Sequence, residues 1–203
     1  MIVGIIGGVA SGKSHVTRML EGLGAVSLDA DRAGHEVLDQ TEVKQAIRDK
    51  WGKSVFDANG QVDRAAVAKL VFASSPEGPL NLAYLEALTH PRIGEKLRSR
   101  ASQLAEQGGH GVIVLDAAVL LKAGWDQFCD HLVFVDAPLQ VRARRAAQRG
   151  WNEAELLRRE AAQVPVEEKR RQADFVIDNS GDQQQTLQQI HQLWATLLDQ
   201  ETA

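Results

Sequence analysis

One cysteine in 203 residues, Cys129, excludes an internal disulfide and makes a reducing compartment the natural setting. No stretch approaches the ~20 apolar residues that a membrane span requires. The N-terminus has no basic lead, and glycines soon interrupt its short apolar run, so no secretory signal is expected there. Lys and Arg number 23 against 27 Asp and Glu, a net charge of −4. Without a basic excess, a broad nucleic-acid-binding face is excluded. Internal repeats and low-complexity linkers are also lacking, although residues 183–192 are rich in glutamine. A soluble, cytoplasmic chain is expected, a monomer or weak oligomer with no membrane or nucleic-acid partner.

What is present begins at the first strand. Ile2-Val3-Gly4-Ile5-Ile6 reads as a short buried strand, and Val16, Met19, Leu20 and Leu23 fall at helical spacing. Between them, Gly7-Gly8-Val9-Ala10-Ser11-Gly12-Lys13-Ser14 fits G-x-x-x-x-G-K-[ST], in the strand–loop–helix setting that gives this motif its meaning. Glycines let the backbone curl so that successive N–H groups face one anion, and the helix adds its open N-terminus. Gly8, Val9, Ala10, Ser11 and Gly12 are therefore expected to cradle phosphates. Lys13 supplies a mobile charge for the β- and γ-phosphates, and Ser14 a hydroxyl for Mg²⁺. A glycine-rich turn that merely joins strand to helix does not account for Lys-Ser at this offset. The expected ligands are ATP and Mg²⁺.

The chain is long enough for one good core with a smaller lobe attached. Four further apolar runs have the length and β-branching of buried parallel strands, at 25–28, 111–115, 131–135 and 175–177. Helical patterns separate them, and Leu187, Ile190, Trp194, Leu197 and Leu198 make one face of a final helix. The fold class is α/β: a three-layer α/β/α unit on a five-stranded parallel sheet. Residues 30–110 lie between the second and third strands, more than one crossover needs. The expected division is a nucleotide-binding core of 1–29 and 111–203 and a helical insert of 30–110. Within the insert, helices are expected at 33–38, 43–51, 65–72 and from Leu80 to about Gln107, with a turn at 55–62. Residues 150–172, charged and weakly apolar, read as an irregular lid.

Asp29-Ala30-Asp31 ends the second strand beside the glycine loop. Phosphoryl transfer needs a carboxylate there to take a proton or steer a metal, though Asp also caps helices well. Asp116, Asp136 and Asp178 each end an apolar run and could hold the metal. Asp116 is preferred because the third strand often neighbours the first in such sheets. Arg145 and Arg149, four apart, share one face if helical, and guanidinium forks suit triphosphate oxygens. The other basic residues between Arg142 and Arg171 have acidic partners nearby, from Glu153 to Glu168. His90 precedes Pro91, which should hold it in extended geometry.

In this order the pieces resemble the dephospho-coenzyme A kinase family, nucleoside-monophosphate-kinase-like in architecture, over nearly the whole chain. The matching stretches run from Ile6 to Ser14, from Leu28 to Asp31, through His90-Pro91, through Gln140 with Arg145 and Arg149, and from Ala173 to Gly181. The resemblance implies ATP-dependent phosphorylation of the ribose 3′-hydroxyl of dephospho-coenzyme A. It implies Asp31 as base, Lys13 and Arg145 on the transferring group, and Asn179 and Gly181 near the adenine. It also implies that the insert holds the acceptor, with Asp29, Asp31, His90 and Leu120 as acceptor contacts. Two positions depart from the family pattern Pro-Leu-Leu-x-Glu after the third strand: Ala118 replaces Pro and Lys122 replaces Glu. His15 stands where Thr is common. Competing readings are another small-molecule or nucleotide kinase, or a catalytically silent nucleotide-binding module. A GTP switch is disfavoured, since no Asn-Lys-x-Asp motif is present.

Overall fold

A computed structural model describes residues 1–107 and 111–201, leaving the last three positions of the expected insert outside the described residues. In chain order the strands are β1 (Ile2–Gly7), β2 (Val26–Leu28), β3 (Ile113–Asp116), β4 (His131–Asp136) and β5 (Phe175–Asp178). The helices are α1 (Lys13–Gly22), α2 (Ala30–Leu38), α3 (Thr41–Trp51), α4 (Arg64–Val71), α5 (Glu77–Glu106), α6 (Leu139–Ala147), α7 (Glu153–Ala161), α8 (Val166–Gln172) and α9 (Gln183–Glu201). They form two compact units, Met1–Leu28 with Arg100–Ala203, and Asp29–Ser99.

In the first unit all five strands are parallel, in the order β2-β3-β1-β4-β5. The two-residue period of β1 sorts its side chains between the faces. Val3 and Ile5 join Val114, Val133, Val135 and Ile177 in a core closed by Val16 and Leu20 of α1 and Ile190, Leu193 and Leu197 of α9. Each fully buried Ile or Leu there contributes roughly 1.5–3 kcal/mol. Gly4 points the other way, and a Cβ on it would come within 3.1 Å of side-chain atoms of Leu132, Cys129 and Leu120. The chain runs from β1 to one edge of the sheet and then to the other side of β1. Its direction thus reverses beside β1, which places a ligand site at the carboxyl end of that strand.

Three expectations are corrected here. Leu187 and Leu198 are 38% and 37% exposed, whereas Leu193, which the helical reading passed over, is 5% exposed. Residues 150–172 are largely helical, as α7 and α8. Leu156 anchors α7 in a cluster with Val9, Ala10 and Ala146, and one well-placed Leu gives this charged segment its apolar side. Arg149 lies beyond the end of α6 at Ala147, so it does not share a helical face with Arg145.

The second unit is helical, and most of its boundaries are set locally. Asp63 caps α4 by accepting from the N–H groups of Ala65 and Ala66. The expected turn closes with an antiparallel bridge between Phe56 and Val62, the Asp57 carboxylate accepting from Asn59 and Gln61 N–H. Pro91 does not break its helix: α5 continues through it, so His90 is helical rather than extended. Pro91 lacks an N–H to bond back one turn. In the same stretch Thr89 Oγ1 and Arg92 Nη1 donate to the Leu85 and Leu88 carbonyls, at 2.7 and 2.6 Å. Burial of Thr89 before the proline and of Ile93 and Leu97 after it holds the helix on either side of any weakened turn.

Candidate active site

The loop from Gly7 to Gly12 is shaped by its glycines. At Gly12 φ is +100°, and a Cβ there would collide with the Asn179 amide. At Gly7 a Cβ would lie 2.7 Å from the Val135 carbonyl oxygen, so the loop packs against β4 only without one. Ala10 holds φ of +61°, the non-glycine residue with positive φ among those described. Such strain persists where surroundings enforce it, commonly at ligand sites. Gly12 is the N-cap of α1 and supplies no side-chain cap. Among the described residues the N–H groups of Gly12, Lys13 and Ser14 have no protein acceptor. Ser11 is fully buried and its Oγ lacks a partner. Unsatisfied donors at an open helix terminus are what an anionic phosphate would satisfy.

The loop is braced from behind by residues distant in sequence. Arg145 donates to the carbonyls of Ser11 and Asn179, at 2.8 and 2.7 Å. The Asn179 side chain is buried, donates to the same Ser11 oxygen at 2.8 Å, and accepts from Thr186 Oγ1. Arg142, also buried, donates to the Ala137 carbonyl and pairs with Glu160 at 2.5 Å. The Glu160 carboxylate in turn accepts from the Val9 N–H at 3.3 Å. These contacts leave the Ser11 and Val9 backbone little freedom, so the loop donors are held in place.

The expected metal ligands meet. Ser14 Oγ donates to Asp116 Oδ2 at 2.9 Å, bringing together a hydroxyl and a carboxylate. The other two candidates are engaged elsewhere: Asp136 pairs with Arg170, and Asp178 accepts from the Ser180 N–H at 2.8 Å. The Ser180 side chain, and then its N–H, lower the Asp178 pKa by hydrogen bonding to the carboxylate. Two oxygen ligands of this kind fit Mg²⁺, which keeps several waters and takes its other ligands from nucleotide phosphates.

Lys13 donates to the Gly8 carbonyl at 3.5 Å, a long contact. Burial of its ammonium lowers its pKa, opposed mainly by the nearby Asp116. Burial and the neighbouring Arg144 also lower that of Arg145. Beside the loop an open depression of about 270 Å³ is lined by Ala10, Gly12, Arg145, Arg149 and Asn179, among others. Five expected nucleotide-binding residues therefore surround one space. His15 also lines it, and burial and Arg18 lower its pKa. Gly181 lies in the turn between Asn179 and the Asp182 cap of α9.

The expected acceptor contacts are placed differently. Asp29, not Asp31, caps α2, accepting from the Arg32 N–H at 2.8 Å. Asp31 sits in the first turn of that helix, with no capping duty. His90 is on α5, in the second unit. Leu120 is 1% exposed and packs against Gly4, so its main contribution is to the core. Sequence reasoning passed over Arg142, Glu160 and Lys169. All three lie in a charged stretch that reads as solvated, and burial alone distinguishes them. Lys169 is 4% exposed, and burial, with Lys13 nearby, brings its pKa down to about 8.

A parallel α/β sheet with a glycine loop at the carboxyl end of its central strand is the fold of the P-loop nucleotide-binding class. Solved structures agree: shikimate kinase from Acinetobacter baumannii superposes with a TM-score of 0.51 at 16% identity, covering 98% of this chain and 93% of the other. The structure of TT1252 from Thermus thermophilus is nearer, with a TM-score of 0.75 and 32% identity, covering 98% and 97%. The family model described as dephospho-CoA kinase matches residues 1–185. A dephospho-CoA kinase of Geobacter sulfurreducens is 39% identical over 96% of this chain and 97% of its own length. One from Carboxydothermus hydrogenoformans is 37% identical, covering 93% and 90%. The chain belongs to the dephospho-CoA kinase family.

Proposed function

We propose that this protein transfers the γ-phosphoryl group of ATP, with Mg²⁺, to the ribose 3′-hydroxyl of dephospho-coenzyme A, forming coenzyme A and ADP. The observation that carries this reading is the braced phosphate loop with its Ser14–Asp116 pair, in a chain of this family. A bond forms between the 3′-oxygen and the γ-phosphorus as the bond to the β-phosphate oxygen breaks, its electrons leaving with ADP. Asp31 accepts the hydroxyl proton. The loop N–H groups, Lys13 and Arg145 oppose the charge on the transferring group. Mg²⁺, held through Ser14 and Asp116, would neutralise β- and γ-phosphate oxygens.

Arg149, Asn179 and Gly181 belong to the nucleotide side of the site. Residues 30–110 form the acceptor lobe, with Asp29, His90 and Leu120 among the acceptor contacts. Residues 150–172 act as a lid that excludes water, a competing acceptor. The cytoplasm is the proposed location, with the protein acting as a monomer or weak oligomer. Among the described residues no helix is long and apolar enough to cross a membrane.

The test is ATP consumption with and without dephospho-coenzyme A, with adenosine, AMP, pantothenate and shikimate as comparison acceptors. Turnover that depends on dephospho-coenzyme A, with coenzyme A identified by mass, is the expected result. Preference for another acceptor would overturn the acceptor assignment. ATP binding without turnover on any acceptor would overturn the reading as an enzyme.

A further inference from the structure

Lys169 is a buried cation that the reaction as described leaves unused. Its ammonium donates to the Gly7 carbonyl at 3.1 Å and to Gln163 Oε1 at 2.6 Å. Gly7 is the residue at which β1 becomes the phosphate loop, so the side chain reaches the root of the loop instead of extending to solvent. An ammonium has three N–H donors. The third has no acceptor among the described residues, and no carboxylate there lies within ion-pairing distance. Glu160 is the acidic group nearest in effect, and Arg142 and the Val9 N–H already engage it.

A small recess beside Gly7 brings Lys169 together with the lysine of the glycine loop. Lys13 and Lys169 both line it. Its volume, about 10 Å³, is that of a single water-sized site. One phosphate oxygen fits there, whereas a whole phosphate does not. Asp116 and Glu160 offset only part of the cost of holding the Lys13 and Lys169 ammonium groups around one recess, and an anion entering it would offset more. In a site built around a triphosphate, that anion is the far end of the ligand.

We propose that Lys169 is a second catalytic ammonium, contacting a terminal-phosphate oxygen of the bound nucleoside triphosphate beside Lys13 and stabilising the charge on that group during transfer. This rests on the proposed function only in taking a nucleoside triphosphate as the donor. Gly7 and Gln163 hold the ammonium in position, which spares the reorganisation a flexible surface lysine would need.

The test compares Mg²⁺-ADP with the non-hydrolysable Mg²⁺-β,γ-imido analogue of ATP by calorimetry, alongside turnover and thermal stability. In Lys169→Gln a donor to the Gly7 carbonyl remains while the charge is lost. That variant should bind the triphosphate analogue at least about tenfold more weakly, hold ADP within about threefold, and lose about a hundredfold in kcat. Lys169→Arg should recover most of the analogue affinity. Equal weakening of ADP and analogue would overturn the proposal and leave Lys169 as a brace for the loop. Unchanged kcat in Lys169→Gln would also overturn it. Should Lys169→Gln not fold, Lys169→Arg decides, because loss of analogue selectivity with the charge retained would defeat the idea. The binding arm needs no acceptor. Lost selectivity in the variant alongside a wild type inert to dephospho-coenzyme A would therefore support Lys169 and refute the acceptor assignment alone.

Discussion

The phosphate loop and the helical unit of residues 29–99 are held together in opposite ways. Around the loop, polar contacts join residues far apart in the chain. Ser14 and Asp116 are separated by 102 positions, Arg145 and Ser11 by 134, Lys169 and Gly7 by 162, and Asn179 and Ser11 by 168. In the helical unit most are local: Asp29 to Arg32, Asp63 to Ala65 and Ala66, Asp57 to Asn59 and Gln61, Thr89 to Leu85. Longer links such as Lys96 to Glu36 are fewer there, and that one is partly exposed. Local contacts cap helices and set boundaries. Distant ones fix groups that the backbone alone would not bring together, which is what a preorganised site requires.

The largest effect expected from this contrast falls on the loop. Lys13→Ala should lower turnover by about a thousandfold or more and weaken triphosphate binding, while leaving the fold intact. Far-ultraviolet circular dichroism with nucleotide titration checks it, and retained turnover would remove Lys13 from the chemistry. Asp31→Asn tests the helical unit from the other side. Because Asp29 makes the capping hydrogen bond, Asp31→Asn leaves the cap intact and should reduce kcat by about 10²–10⁴ with ATP affinity nearly unchanged. Full turnover in that variant would mean that the acidic residues of this unit do no more than shape helices.

Asp63→Ala should act on stability alone. It removes both side-chain acceptors at the start of α4 and should cost about 0.5–2 kcal/mol, read by chemical denaturation, with kcat unchanged. A fall in turnover out of proportion to that loss would show the unit to be more tightly tied to catalysis than its local contacts imply. The smallest effect concerns pH. Hydrogen bonds from Arg158 and then Arg159 hold the Glu155 carboxyl down to about 2, against an ordinary value of 4.5. A depressed carboxyl adds stability that is fully present above pH 4.5 and is lost as pH falls through 2. The Glu155→Gln protein should therefore show a slightly flatter decline of Tm with acidification over that window. The group is exposed, so the difference should be small. An identical decline in both proteins would mean that the pair adds nothing.

Much of the fold was legible because it follows from periodicity. All five strands lie within about two residues of their expected limits, since short β-branched runs between turn residues have few other outcomes. The glycine loop was legible because its backbone geometry demands particular residues at particular offsets. The four helices of the insert were expected, and their starts differ by one to three residues where caps were misplaced, as at Asp29. Pro91 misled for a physical reason: local preference predicts a break, but burial on either side outweighs one lost hydrogen bond.

The sequence by itself determined the class of fold, the family and the identity of the phosphate loop. Each is encoded in contiguous residues or in the spacing of a repeating pattern. Only the tertiary structure tells Asp116, Asp136 and Asp178 apart, because the three look alike in sequence and differ in which neighbour each meets. Only it separated Arg142, Glu160 and Lys169 from the solvated charges beside them. A charged residue in a charged run carries no mark of its burial, since burial depends on what the rest of the chain packs over it.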